Sequence, residues 1–343
     1  MTNENRGDKK TVKIANPYLM FLGDAPDQLA AKMANGVAKW RPDWCIGQFR
    51  LANCKADIGL ADMSLEEAAA AGARTLVVGV VNQGGFLPDS WISSLEKALD
   101  LGMDVASGLH MRLTDLPGFA AKAKRLGRNL YDARHPTRDF AVGKGKFRTG
   151  KRLLTVGTDV SVGKMFTSLS IEAEMKARGM KADFRATGQT GIFIAGDGVS
   201  VDAVVADFIS GATEWLSPDN DADHWDIIEG QGSLFHASYA GVSLGLLHGS
   251  QPDAIVLCHE PTRPHMRGTP HMPMPGLQRC IDANIAAARL INVDTRCIGV
   301  SLNTSAFSQS EAERLLQETE EALGLPCVDA FRQGAGRLVD ALG

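Results

Sequence analysis

A chain of 343 residues, 44% hydrophobic and 22% charged, is long enough for two domains with their own cores, which excludes a single small module stapled by disulfides. Its 36 Lys+Arg against 40 Asp+Glu give a formal charge of −4, which argues against a generally basic nucleic-acid binder. That sum conceals segregation: residues 122–152 hold eleven basic side chains against Asp132 and Asp139, while residues 202–229 hold eight acids and no Lys or Arg. Runs of like charge are usually solvated faces. No apolar run approaches the ~18–20 residues of a membrane span, and the polar N-terminus is unlike a signal sequence, so a cytoplasmic protein is expected. The cysteines Cys45, Cys54, Cys258, Cys280, Cys297 and Cys327 include no Cys-x-x-Cys pair and are expected to be buried reduced thiols.

In chain order, an apolar run over 17–23 ends in glycine and precedes a helix-length stretch over 27–40. Strand 45–51, helix 64–71 opened by a Ser64/Glu67 capping box, and buried strand 75–81 follow. Helix 90–101, strand 104–106, helix 116–127 and strand 129–133 complete the first half. Strands alternating with helices predict a parallel α/β sheet that binds ligands at its carboxyl ends. The candidate loops there are Gly23-Asp24, Asn82-Gln83-Gly84-Gly85 and Ser107-Gly108-Leu109-His110, each equally readable as a glycine-assisted turn. The stretch 135–152, rich in Gly, Lys and Arg, reads as a linker. Strands at 152–156, 181–185, 225–229, 254–259 and 295–301 then alternate with helices 164–178, 201–210, 276–290 and 310–323, a second α/β domain.

The sharpest signal is the strand Leu153-Leu154-Thr155-Val156 running into Gly157-Thr158-Asp159-Val160-Ser161-Val162-Gly163-Lys164-Met165 and then an amphipathic helix. This is the context of a phosphate-binding loop: glycines let amides turn inward, the helix N-terminus adds partial positive charge, and Lys164 adds a full one. Five residues separate Gly157 from Gly163 instead of the usual four, as in the GTDxxVGKT loops of dethiobiotin synthetase and its relatives, and Glu229-Gly230-Gln231-Gly232-Ser233 is similar to their Glu-Gly-x-Gly-Gly turn. The residue after the lysine, however, is Met165, and a thioether is a poor ligand for the hard Mg²⁺ ion. Ser161 and Thr167 are the nearest substitutes, neither at the expected position. A phosphate ligand that is not hydrolysed fits better. Coenzyme A is one, and Lys144, Lys146, Arg148, Lys151 and Arg152 are expected to help hold its phosphates. No metal is expected. An ATP- and Mg-dependent ligase or kinase, and a non-catalytic CoA or nucleotide sensor, are the alternatives.

The segments GDAPDQLAAK (23–32), GTDVSVGKM (157–165), FRATGQTGI (184–192), VDAVVADFISGA (201–212), EGQGSLFH (229–236) and LCHEPTR (257–263) together resemble the D-glutamate N-acetyltransferases of the DgcN type, long filed as a domain of unknown function. The resemblance runs from about residue 17 to the end. It implies a Rossmann-like domain over residues 1–145, a P-loop domain over 146–343, and transfer of acetyl from acetyl-CoA to the amine of D-glutamate in D-amino-acid catabolism. It also implies that a partner enzyme racemises the N-acetylated product. A homo-oligomer is expected on general grounds.

Such a transfer needs a base for the ammonium, a donor for the thioester oxygen and cations for the carboxylates. Glu229, at a strand's carboxyl end near the loop, is the first candidate base; its other readings are a partner of Lys164 and a vestigial metal ligand left from nucleotide-hydrolysing relatives. His259 ends a strand and opens a loop containing Glu260, Arg263, His265, Arg267 and His271, and it is a candidate base or donor. Arg263 and Arg267 offer planar forks to a dicarboxylate. Arg185, Gln189 and Asn82 are further substrate-binding candidates, with His236, Gln83 and His110 behind them. Gly157, Thr158, Asp159, Ser161, Val162, Gly163, Lys164, Met165 and Arg148 are expected to bind the cofactor. Cys258 lies in an apolar strand, and direct attack by the amine needs no enzyme nucleophile.

Overall fold

The computed structural model describes residues 13–81, 84–136 and 138–343, which form two compact units. One comprises residues up to 135 together with 192–197; the other comprises 136–191 and 198–343.

In the first unit the short buried runs become strands β1 (Tyr18–Gly23), β2 (Cys45–Arg50), β3 (Thr75–Val78), β4 (Asp104–Ser107) and β5 (Leu130–Asp132). They pair in parallel in the order β2-β1-β3-β4-β5. Helices α1 (Lys32–Trp40), α2 (Leu65–Ala70), α3 (Asp89–Asp100) and α4 (Phe119–Leu126) connect them. The predicted capping box opens α2: Glu67 N–H donates to Ser64 Oγ at 3.2 Å, and Ser64 N–H to Glu67 Oε2 at 2.8 Å. Every side chain of β1 and β3 is buried, as a sheet covered on both faces requires. Of the predicted loop residues, Asp24 accepts from Trp91 Nε1 at 2.8 Å, and His110 is exposed. Asn82 and Gln83 lie outside the described residues.

The second unit is built on β6 (Lys151–Gly157), β7 (Ala182–Arg185), β8 (Trp225–Ile228), β9 (Ala254–His259), β10 (Arg296–Leu302) and β11 (Cys327–Val328), all parallel, in the order β11-β10-β9-β6-β8-β7. Its helices are α5 (Lys164–Ala177), α7 (Ile209–Leu216), α8 (Ala240–Ser250), α9 (Leu277–Ala288), α10 (Gln309–Leu323) and α11 (Gly336–Asp340), while α6 (Gln189–Ala195) begins here and contributes its later residues to the first unit. Alternate residues of β6 enter separate cores: Leu154 and Val156 pack with Ile228, Ile255 and Leu257, and Leu153 packs with Ile227, Val256 and Ile298. The carboxyl ends of β6, β8 and β9 are therefore neighbours, and their following loops meet.

Where a helix over 201–210 is predicted, the chain instead makes two 3-10 turns, Val201–Ala203 and Ala206–Phe208, with Val204 extended between them. The β-branched pair Val204-Val205 disfavours a continuous helix at that point. Helix α7 begins only at Ile209 and packs on α8, where Ser210 Oγ donates to Gly245 O at 3.1 Å. Among the described residues no helix is long and apolar enough to cross a membrane, and all six cysteines are free.

Candidate active site

Strand β6 ends at Gly157, and the chain curls through 158–163 before α5 starts at Lys164. Ser161 and Gly163 take φ of +54° and +97°, left-handed values that suit glycine at 163 and strain a serine at 161. The N–H groups of Ser161, Val162, Gly163, Lys164 and Met165 have no hydrogen-bond partner among the described residues. Five such donors at a helix N-terminus make an anion cradle. Lys164 is buried beside it, with Nζ donating to Asp159 O at 2.8 Å. Burial pushes this amine down to about 8, against the pull of Asp159 and Glu229 toward the charged form.

The loop is braced from outside. Asp159 is fully buried: Oδ1 accepts Val160 N–H at 2.7 Å, and Oδ2 accepts both Arg263 Nη1 and Arg267 N–H at 2.8 Å. Arg263 also donates to Glu260 at 2.9 Å, Val160 O at 2.6 Å and Ser161 O at 2.8 Å. In a trans peptide C=O and N–H point opposite ways, so drawing the carbonyls of 160 and 161 outward turns the amides of 161 and 162 inward. Arg263, expected to grip a substrate carboxylate, is thus engaged in shaping the phosphate loop. Arg267 differs: its backbone is fixed to Asp159 while its exposed guanidinium has no partner among the described residues.

Glu229 follows β8 at the floor of the site and is 4% exposed. Its Oε2 accepts Thr187 N–H at 2.9 Å and Gly188 N–H at 3.1 Å, and Thr187 Oγ1 donates to its backbone O at 2.6 Å. Burial raises this carboxyl to about 7, opposed by the two amides and by Lys164. Gly230, next in sequence, passes directly against β6. A Cβ there would sit inside the contact radius of Thr155 O, with the Lys164 chain 3.0 Å away, so only glycine fits. Gly230 N–H donates to Thr155 Oγ1 at 3.0 Å and Ser233 Oγ donates to Thr158 O at 2.9 Å, tying this turn to the loop on both sides.

His259 ends β9, with Nδ1 2.9 Å from Thr158 Oγ1. Burial depresses it to about 4, so it is a neutral imidazole at pH 7, and its Nε2 has no partner among the described residues. His236 is fully used: Nδ1 accepts Ser238 N–H at 3.1 Å, which leaves the proton on Nε2, 3.0 Å from Arg267 O. His236 thereby holds the 259–271 loop in place.

Lys164, Glu229, Thr158 and His259 are therefore brought together with the loop. Arg148 is not. It precedes β6, roughly 20 Å from the loop at ~3.3 Å per strand residue, and donates to the carbonyls of Glu214, Ser217, Gly249 and Ser250. Its burial lowers it to about 10. Such a guanidinium pins loops at the amino ends of the strands and has no access to a cofactor on the loop. Arg185 ends β7, but its Nε donates to buried Asp226 at 2.7 Å, turned back from Glu229. Gln189 is partly buried at the start of α6. Met165 is half-buried after Lys164, Thr167 Oγ1 donates to Ser301 Oγ at 2.9 Å, and Ser161 is exposed. Burial pushes Cys258 up to about 11. Thr187 and Thr155 were not singled out by the sequence; a hydroxyl residue after a strand carries no signal until the turn it binds is seen.

Two family models match the chain: the DUF1611 P-loop domain over residues 139–339, and the DUF1611_N Rossmann-like domain over residues 50–136, both described as domains of unknown function. A curated protein from Tritonibacter scottomollicae named D-glutamate N-acetyltransferase is 56% identical over 96% of this chain and 99% of its own length. Another of the same name from a Pseudoalteromonas species is 50% identical over 96% and 99%. A crystal structure of a DUF1611 family protein from Anabaena variabilis, 31% identical, superposes with a TM-score of 0.83 over 96% of this chain and 99% of that one.

Proposed function

The chain belongs to the DUF1611 family, and from that membership we propose that it is a D-glutamate N-acetyltransferase that takes its acetyl group from acetyl-CoA. The observation that carries the activity is 50–56% identity, over nearly full length, to two proteins of that name. The anion cradle at 161–165 supports the choice of donor: a CoA diphosphate needs amides and Lys164 but no hydroxyl ligand for Mg²⁺, and Met165 supplies none.

In this reading the ammonium of D-glutamate gives its proton to Glu229, whose ordinary value is shifted to the neutral range where a base is both ionised in part and basic enough. The freed amine attacks the thioester carbon to form the N–C bond, the C–S bond breaks as the tetrahedral oxyanion collapses, and the second proton shed by the attacking nitrogen is taken up by the departing sulfur, which leaves as the CoA thiol. Thr158 donating to His259 Nδ1 keeps the imidazole proton on Nε2, which then donates to the oxygen as it becomes anionic. Arg267, whose guanidinium has no partner among the described residues, takes a carboxylate of the substrate, with Gln189 as a further contact. The product suits a racemase acting on N-acetyl-D-glutamate, in D-amino-acid catabolism, and a homo-oligomeric cytoplasmic enzyme is the corresponding cellular form.

The test is to incubate the protein with acetyl-CoA and D-glutamate, without ATP or added metal, and identify N-acetylglutamate by mass. A product that appears only with ATP and Mg²⁺ would favour the ligase or kinase chemistry of dethiobiotin synthetase and overturn this reading.

A further inference from the structure

Gln231, in the turn after β8, has no part in the proton path through Glu229 and His259, yet its position is tightly built. It stands between Gly230, whose N–H donates to Thr155 Oγ1, and Gly232, which takes a φ of +70°. Its own backbone carbonyl accepts Ser243 Oγ at 2.7 Å. The main chain is therefore held on both sides, and the partly buried side chain lies beside Glu229.

Which end of the carboxamide faces which neighbour follows from counting hydrogens. Thr187 Oγ1 has one, and it goes to the backbone carbonyl of Glu229 at 2.6 Å, an atom that only accepts. The 3.2 Å contact between Thr187 Oγ1 and Gln231 must then be donated by the glutamine nitrogen. A Cβ on Gly188 would stand 2.6 Å from that nitrogen and 3.4 Å from Glu229 Oε1, so amide and carboxylate border one space above Gly188. Burial raises the Glu229 carboxyl, and this amide pulls it back toward the ionised form. Gln231 Oε1 is thereby turned away from Thr187, and it has no partner among the described residues. The neighbouring groups that face a ligand, Lys164 Nζ, His259 Nε2 and the amides of 161–165, are donors, and both oxygens of Asp159 are taken. An ammonium arriving here brings three N–H donors and meets Glu229 and Gln231 Oε1 as side-chain acceptors.

We propose that Gln231 Oε1 accepts one N–H of the acceptor's primary amine and keeps it from ammonium to product amide, which makes Gln231 the residue that selects primary amines. The proposal rests on the acetyltransferase function given above. The three hydrogens of the ammonium then have separate fates. One passes to Glu229 before attack; the second is shed as the N–C bond forms and the C–S bond breaks, and leaves on the CoA sulfur; the third stays on nitrogen as the amide N–H, held by Gln231. A neutral carbonyl suits this task because it accepts from ammonium and free amine alike, whereas a second carboxylate would hold the nitrogen in its charged form. A secondary amine has two hydrogens as its ammonium, and the reaction removes both. It has none left for Oε1 and must set its alkyl group against that oxygen or against the leaving sulfur.

The experiment measures kcat/KM for D-glutamate and for N-methyl-D-glutamate, with acetyl-CoA, in the wild-type protein, Gln231→Met and Gln231→Glu. Methionine matches the length and offers only a weak acceptor; glutamate keeps a strong acceptor and loses the NH₂ that Thr187 and Glu229 receive. Wild type should prefer the primary amine. That preference should shrink by about tenfold or more in Gln231→Met, the size of a lost hydrogen bond to a charged group, and persist in Gln231→Glu, with kcat lowered in both. A preference undiminished in Gln231→Met, or lost equally in the two variants, overturns the proposal and leaves acetyl transfer to D-glutamate intact; equal loss is the behaviour of a side chain that only braces Glu229. If the wild type transfers no acetyl group, calorimetric titration of D-glutamate and of its N,N-dimethyl derivative, whose single N–H goes to the base, decides the matter. Binding of D-glutamate about tenfold weaker in Gln231→Met, with the derivative unaffected, upholds the amine contact and removes only the acetyltransferase reading. Equal effects on both compounds, or no binding of either, overturn the proposal as well.

Discussion

Glu229→Gln separates the base from its surroundings, because the amide keeps an acceptor for Thr187 and Gly188 but takes no proton. In the folded chain the carboxyl rises from 4.5 to about 7, chiefly through burial, which at ~1.4 kcal/mol per pH unit corresponds to about 3 kcal/mol. The sign follows from proton binding. Between pH 4.5 and 7 the unfolded chain releases this proton while the folded chain keeps it, so the contribution of Glu229 to wild-type stability falls as pH rises through that window and is level above it. The glutamine variant escapes this loss. Relative to wild type it should gain about 3 kcal/mol between pH 4.5 and 7.5, roughly 6–12 °C in melting temperature for a unit of this size. Its kcat should fall by about 10²- to 10⁴-fold, and the acid limb of the wild-type pH–rate profile near 7 should disappear. Because Glu229 helps hold Lys164 charged, the loss of acetyl-CoA affinity expected as that amine deprotonates near 8 should move to lower pH in the variant. Thermal melts at the two pH values and thiol-release kinetics across pH test this. A melting difference equal at both pH values, together with retained activity, would refute both the burial argument and the assignment of the base.

Lys164→Ala should raise KM for acetyl-CoA more than it lowers kcat, since an amine that holds phosphate does so in ground and transition states alike; steady-state kinetics in acetyl-CoA decide it. Arg267→Ala should raise KM for D-glutamate by about tenfold or more, the loss of one charge-assisted contact, with KM for acetyl-CoA unchanged. Arg148→Met should do the opposite of what a cofactor ligand would: it leaves buried carbonyls unpaired, costing about 3 kcal/mol or more in denaturant melts, with KM for acetyl-CoA unaltered.

The phosphate loop was legible because its requirements are local: a strand, glycines where φ turns positive, a lysine and a helix start, all within one stretch of chain. The parallel α/β architecture was legible for the same reason, since its alternation of short buried runs and capped helices is a property of sequence neighbours. Helix α8 was missed because it is apolar around its circumference and carries Gly241, Gly245 and Gly249, which suppress both periodicity and propensity. The arginines were the hardest to place. Arg148, Arg185, Arg263 and Arg267 are chemically identical in the sequence, and what distinguishes them is whether a distant carbonyl or carboxylate already holds the fork. For Arg148 those partners lie 66–102 residues away, and for Arg263 the Asp159 carboxylate lies 104 away. The basic run at 144–152 looked like an approach to the cofactor; in the fold it stands at the opposite end of β6 from the loop.

The most direct measurement is free-thiol release from acetyl-CoA by the purified protein with D-glutamate or L-glutamate as acceptor, without ATP or added metal. Release that depends on D-glutamate and is much slower with the L enantiomer is the expected result; no release with either acceptor would contradict the assigned activity.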